Sequence, residues 1–117
     1  IELFNKGNHT RDFTYISDVI KCILKCINKY KNQKLKIYEI FNVGNGKPEK
    51  ITYLINILSK ELNKKAKIKL NKLQMGDMVN TKASINKTKS FLKFKPKVKL
   101  NDGVKEFVNW FKKYHKI

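Results

Sequence analysis

The sequence predicts a mixed α/β fold. Apolar residues recur at helical spacing in several separate segments. Short runs rich in β-branched and aromatic residues lie between those segments, and Gly, Asn and Pro clusters mark the boundaries. That alternation of helix and strand favours α/β architecture. At 117 residues the chain suits one domain. Two cysteines do not build a disulfide framework, and no apolar run approaches the roughly 18 residues of a membrane span. The chain begins at Ile1, with neither Met nor a signal-peptide pattern, and is expected to be a piece of something longer.

Taken in order, Ile1 to Phe4 reads as a short strand, closed by the turn chemistry of Asn5-Lys6-Gly7-Asn8. Asp12 to Ile16 reads as a second extended piece. Ser17 is the expected cap of a first helix, with Asp18 in its first turn. Ile16, Val19, Ile20, Ile23, Leu24 and Ile27 give that helix its apolar face, to an end near Tyr30. Lys31 to Lys36 is a polar connection. Tyr38 to Val43 is rich in β-formers and reads as a strand, stopped by Gly44-Asn45-Gly46-Lys47-Pro48. Thr52 is the expected cap of a second helix carrying Leu54, Ile55, Leu58 and Leu62 on one face. Ala66 to Leu70 and Gly76 to Thr81 read as short extended pieces. Ser84 is the expected cap of a third helix reaching Leu92, and Pro96 breaks the chain. A last helix from near Asn101 is expected to bury Val104, Phe107, Val108, Phe111 and Tyr114. These helices offer more apolar face than the few short strands can cover, and a missing partner sheet would resolve the mismatch.

The formal net charge is +18, from 27 Lys+Arg against 9 Asp+Glu. A polyanion partner is one reading of such a balance. Against it, only Arg11 is an arginine, and the lysines spread evenly from Lys6 to Lys116. Nucleic-acid readers lean on Arg for its bidentate fork. Abundant Lys, Asn and Ile share A- and T-rich codons, so base bias with solvated faces accounts for the charge. Weak, salt-sensitive polyanion binding is expected on either reading.

Four features invite a chemical reading. Cys22 and Cys26 lie four apart on the first helix, but no His or Cys nearby completes a metal site, so they read as free buried thiols of a reducing cytosol. Gly44-Asn45-Gly46 lies between a strand and a helix, yet it lacks the third glycine of a dinucleotide fingerprint and reads as a plain turn. Arg11, alone in a lysine-rich chain, points to a need for guanidinium geometry: either a bidentate grip on phosphate or a structural pair with Asp12 or Asp18. Asp77, in the polar turn Gln74-Met75-Gly76-Asp77, is either an acceptor for sugar hydroxyls or a turn cap. His9 and His115 are isolated and mark no triad or metal site.

The run Ile1 to Gly7 followed by Arg11-Asp12-Phe13-Thr14-Tyr15-Ile16-Ser17-Asp18 resembles the "vFNxG…RDFTYIDDIV" segment of nucleotide-sugar epimerases, which are extended short-chain dehydrogenase/reductases. Phe41 to Gly46 is similar to the family's "fNIGNG", and Gln74 to Asp77 to its "QPGD", with Met75 in place of Pro. Ser84 departs from the Asp of "TyAD". Phe94-Lys95-Pro96, Leu100, Gly103, Phe107-Val108 and Trp110-Phe111 resemble the closing "ykPxtxLxeGlxxFVxWY". Within the family, the set is most similar to the UDP-glucuronate 4-epimerases.

The resemblance implies edge elements of a Rossmann-type sheet within residues 1–50. It also implies a small, mostly helical C-terminal substrate-binding subdomain at residues 51–117, with the NAD-binding part absent. It implies that Arg11 contacts the nucleotide diphosphate, that Phe4 and Phe13 line the uridine pocket beside Ile51, and that Asp77 bonds the ribose hydroxyls. Gln74 stands where galactose epimerases use a second phosphate-binding Arg. NAD and the catalytic Tyr-x-x-x-Lys pair are expected in the missing part; the same spacing at Tyr30 and Lys34 sits at a helix end in a Lys-rich stretch and is read as chance. No catalytic, cofactor-binding or metal residue is therefore assigned. The resemblance further implies a UDP-sugar substrate, transient oxidation at C4, a cytoplasmic homodimer in polysaccharide biosynthesis, and neither nucleic-acid nor membrane partners. A stand-alone basic nucleic-acid-binding module, and a related nucleotide-sugar dehydratase or decarboxylase, remain the alternatives.

Overall fold

Two helix pairs organise the chain, and short ladders tie them together. The computed structural model describes residues 1–31 and 38–117. Its elements run β1 (Glu2–Leu3), a 3-10 turn (Phe4–Gly7), β2 (Thr10–Arg11), α1 (Ile16–Tyr30), β3 (Glu49–Lys50), α2 (Ile51–Leu62), β4 (Lys69–Leu70), α3 (Asn86–Leu92) and α4 (Leu100–His115). β1 pairs parallel with β4, Leu3 opposite Leu70, while β2 pairs antiparallel with β3, Arg11 opposite Glu49. Thr10 also bridges to Asn80 in parallel sense.

Helical spacing accounts for the α2–α4 pair. Ile57, Val104 and Val108 are buried between the two helices, and Leu54, Leu58, Leu62 and Leu100 pack round them. A second cluster forms where Cys22 of α1 meets Leu92 of α3 and Phe94 just beyond it, flanked by Cys26, Tyr30, Phe41 and Val43. The radius of gyration is 17.6 Å, against about 13 Å for a compact domain of ~100 residues. The helices do not close round one core.

α1 shows why. It buries Asp18 and Cys22, whereas Ile16, Ile20, Ile23, Leu24 and Ile27 stay exposed. The amphipathic face is there, but among the described residues no sheet covers it. α4 behaves likewise: Val104 and Val108 are buried, but Phe107 is 46% and Tyr114 68% exposed. The expected burial of those two rings is thus not met, because α2 covers only one side of α4.

Other local expectations also need correction. Tyr38 to Val43 forms no ladder among the described residues. The segment lies against α3 instead: Thr88 Oγ1 donates to the Asn42 carbonyl at 2.6 Å, and the Phe41 ring meets Phe91 at a tilt, centroids 5.9 Å apart. None of the expected caps makes a side-chain cap hydrogen bond. α1 starts after Tyr15, α2 after Lys50 and α3 after Ile85, which leaves Ser17 and Thr52 inside their helices and Ser84 ahead of its own. Asp18 does sit in the first turn of α1, but its carboxylate reaches across to the Lys97 and Val98 amides, each at 2.8 Å. Most of the Lys31–Lys36 connection, including Lys34 of the Tyr30 spacing, lies outside the described residues.

Candidate functional site

β2 carries the site. Thr10 donates its amide to Val79 at 3.0 Å, accepts the Thr81 amide at 3.2 Å, and its hydroxyl donates to Asn80 Oδ1 at 2.7 Å. These contacts lay residues 77–81 beside Arg11. The guanidinium then has three partners within reach. Nη1 donates to the Thr10 and Val79 carbonyls at 3.0 and 3.2 Å, and Nη2 to Asp77 Oδ1 at 3.3 Å. Of the two structural pairs considered for Arg11, Asp12 and Asp18, neither is formed; both carboxylates are committed to backbone amides elsewhere. Arg11 and Asp77 are both partly exposed, their side chains at 26% and 29%. The pair is therefore within reach of a ligand from solvent.

Asp12 builds the ground under this pair. It accepts Asn45 N at 2.9 Å, Gly46 N at 3.0 Å on each oxygen, and Ala83 N at 2.8 Å. One carboxylate thus joins residues 12, 44–46 and 83. The packing requires Gly44, since a Cβ there would stand 2.3 Å from the Ala83 Cβ and 3.0 Å from Asp12 Oδ2. Gly46 sits at φ +71°, which also favours glycine. The same contacts decide what this loop does. Its Asn45 and Gly46 amides are spent on Asp12 and are not turned outward to cradle a phosphate. The residues of this loop do not fit a dinucleotide site.

The remaining candidates are placed around β2. Ile51 donates its amide to the His9 carbonyl at 3.0 Å, which fixes the start of α2 beside Arg11. Gln74 is exposed, and its carbonyl accepts the Asp77 amide at 3.2 Å to close the turn. Phe4 is half-buried in the 3-10 turn. Phe13 is half-buried too and lines a groove of about 390 Å³ with Leu54, Leu58, Val104 and Phe107. The structure thus joins Arg11 and Asp77 by direct contact and links Ile51 and Gln74 to them through the backbone. One further member escaped the sequence reading: His9, only 4% exposed, has Nε2 3.4 Å from Asp77 Oδ2. An isolated histidine two residues before Arg11 gave no periodic or spacing signal. Cys22 and Cys26 are free thiols, and burial, reinforced by Cys26, holds Cys22 above its ordinary value of 9.0.

Residues 1–44 match the model of the NAD dependent epimerase/dehydratase family. The chain is 35% identical over 113 residues to the UDP-glucuronate 4-epimerase of Thermodesulfobacterium geofontis, covering 96% of this chain and 33% of that protein. It also superposes on UDP-glucuronic acid 4-epimerase from Bacillus cereus, solved with UDP-glucuronic acid and NAD. There the TM-score is 0.81 at 31% identity, over 97% of this chain and 35% of that one. The chain is similar to a segment of the UDP-glucuronate 4-epimerases. An uncharacterized protein of Methanocaldococcus jannaschii is 50% identical over 111 residues, which is 95% of this chain and 32% of that relative. The segment spans about a third of the length of these relatives. It is mixed α/β and superposes on about a third of each of these Rossmann-type epimerase structures, and among its described residues no sheet covers the outer face of α1.

Proposed function

We propose that this chain is the UDP-sugar-binding part of an NAD-dependent nucleotide-sugar 4-epimerase that interconverts UDP-glucuronate and UDP-galacturonate. The observation that carries the reading is the Arg11–Asp77 pair, a cationic fork and a carboxylate 3.3 Å apart and partly open to solvent. A nucleoside diphosphate needs both groups: a fork for the phosphates and an acceptor for the ribose. Arg11 holds the diphosphate, Asp77 the ribose hydroxyls, and Phe4, Phe13 and Ile51 the uracil side, with Gln74 at the phosphate edge. Residues 1–50 return to the nucleotide-binding sheet, and residues 51–117 form the substrate subdomain. NAD and the groups that move protons lie in the rest of a longer, cytoplasmic, dimeric enzyme, so this segment by itself is inactive.

The full-length protein, incubated with NAD and UDP-glucuronate, is expected to give UDP-galacturonate by chromatography of the nucleotide sugars. Turnover of UDP-glucose with none of UDP-glucuronate would contradict the substrate assignment while leaving the epimerase reading intact.

A further inference from the structure

We propose that His9 is a positioning residue: it fixes the Asp77 carboxylate and, through it, the ribose of a bound nucleotide. The inference rests on the UDP-binding reading above and goes beyond it by adding a residue that no motif marks. His9 is 4% exposed, and Nε2 itself is enclosed with no hydrogen-bond partner. An enclosed atom does not touch a ligand directly, so His9 acts through its neighbour. That neighbour is Asp77, whose Oδ2 stands 3.4 Å from Nε2 while Oδ1 stands 3.3 Å from Arg11 Nη2. The carboxylate lies between the guanidinium, which donates to one oxygen, and the imidazole, whose Nε2 stands close to the other.

The chemistry assigns the proton. An ionised carboxylate only accepts, so an imidazole that holds it does so with hydrogen on Nε2. The backbone holds the imidazole in place: the His9 carbonyl takes the Ile51 amide at 3.0 Å, and the next residue is in β2. Asp77 is held more locally, its amide on the Gln74 carbonyl at 3.2 Å. It closes a turn whose Gly76 sits at φ +81° with open space where a Cβ would stand, and whose Met75 is fully exposed. Its side chain is therefore aimed by Arg11 and His9. A diphosphate that draws Arg11 Nη2 away removes one of these holds, and His9 keeps the carboxylate turned toward the ribose.

The test uses the full-length protein, with UDP and 2′-deoxy-UDP titrated calorimetrically into native protein, His9→Leu, His9→Gln and Arg11→Ala. Native protein is expected to prefer UDP over the deoxy compound. His9→Leu is expected to shrink that preference about fivefold, the worth of one well-placed hydrogen bond. His9→Gln, which keeps an amide donor near the place of Nε2, is expected to retain it. A preference unchanged in His9→Leu overturns the proposal, even where overall affinity falls. If His9→Leu gives no folded protein, His9→Asn, whose amide stops short, replaces it with the same two outcomes. UDP affinity unchanged in Arg11→Ala defeats the underlying UDP assignment instead, which separates the two failures.

Discussion

Asp12 accepts the Gly46 amide on both carboxylate oxygens, each at 3.0 Å, across 34 positions of chain. Together with Asn45 and Ala83, this makes one side chain the junction of three loops under Arg11. A carboxylate that accepts several partly buried amides leaves each of them unpaired when it is removed. Asp12→Ala is therefore expected to lower the stability of the full-length protein by about 2–4 kcal/mol, read as a shift in the denaturation midpoint. An unchanged midpoint would mean that water replaces the carboxylate at no cost.

Gly44 tests the same junction sterically. Gly44→Ala drives a methyl to within 2.3 Å of the Ala83 Cβ and is expected to cost about 1–3 kcal/mol. Ala83→Gly in the same chain should recover part of that loss. A double-mutant cycle measures the coupling, and strictly additive effects would show that the two sites are not in contact.

The two thiols should part company chemically. Cys22 is 1% exposed and its thiol is held above 9.0 by burial first and Cys26 second. Iodoacetamide at pH 8 is expected to label Cys26 well before Cys22, read by peptide mass spectrometry. The sign of the linkage follows from a raised acid pKa. The folded state keeps the proton longer, so the stability from burying the neutral thiol is complete below about pH 9 and declines above it.

The uncovered face of α1 predicts the behaviour of the 117-residue chain on its own. Ile20, Ile23, Leu24 and Ile27 are each about half exposed on one helix. The isolated chain is expected to bind the dye ANS and to self-associate at micromolar concentration. Ile20→Glu with Leu24→Glu should weaken both, and dye binding unaffected by those changes would place the sticky surface elsewhere.

The long helices were legible because their apolar periodicity is local: α1, α2 and α4 stand within a few residues of where spacing put them. The ladders were not. β1 and β4 are two residues each and meet across 67 positions of chain, as Glu2 opposite Lys69. Pairing at that distance is set by tertiary contact, and no local pattern encodes it. Tyr38 to Val43 fails in the opposite sense, since strand-forming residues make no ladder without a neighbour. At the site, the single arginine and the acidic turn residue stood out by composition, and they do meet. Asp12 and Asp18 stood out only as possible partners of Arg11, and His9 only as an isolated histidine, because their roles exist through partners such as Ala83, Val98 and Asp77, some 70 to 80 residues away.

Whether Arg11 grips the diphosphate of a UDP-sugar is read most directly by calorimetry of UDP binding to full-length native protein and Arg11→Ala. At least a tenfold loss of affinity is expected, in line with about 1.5–3 kcal/mol for one charge-assisted contact. Equal affinity in the two proteins would contradict it.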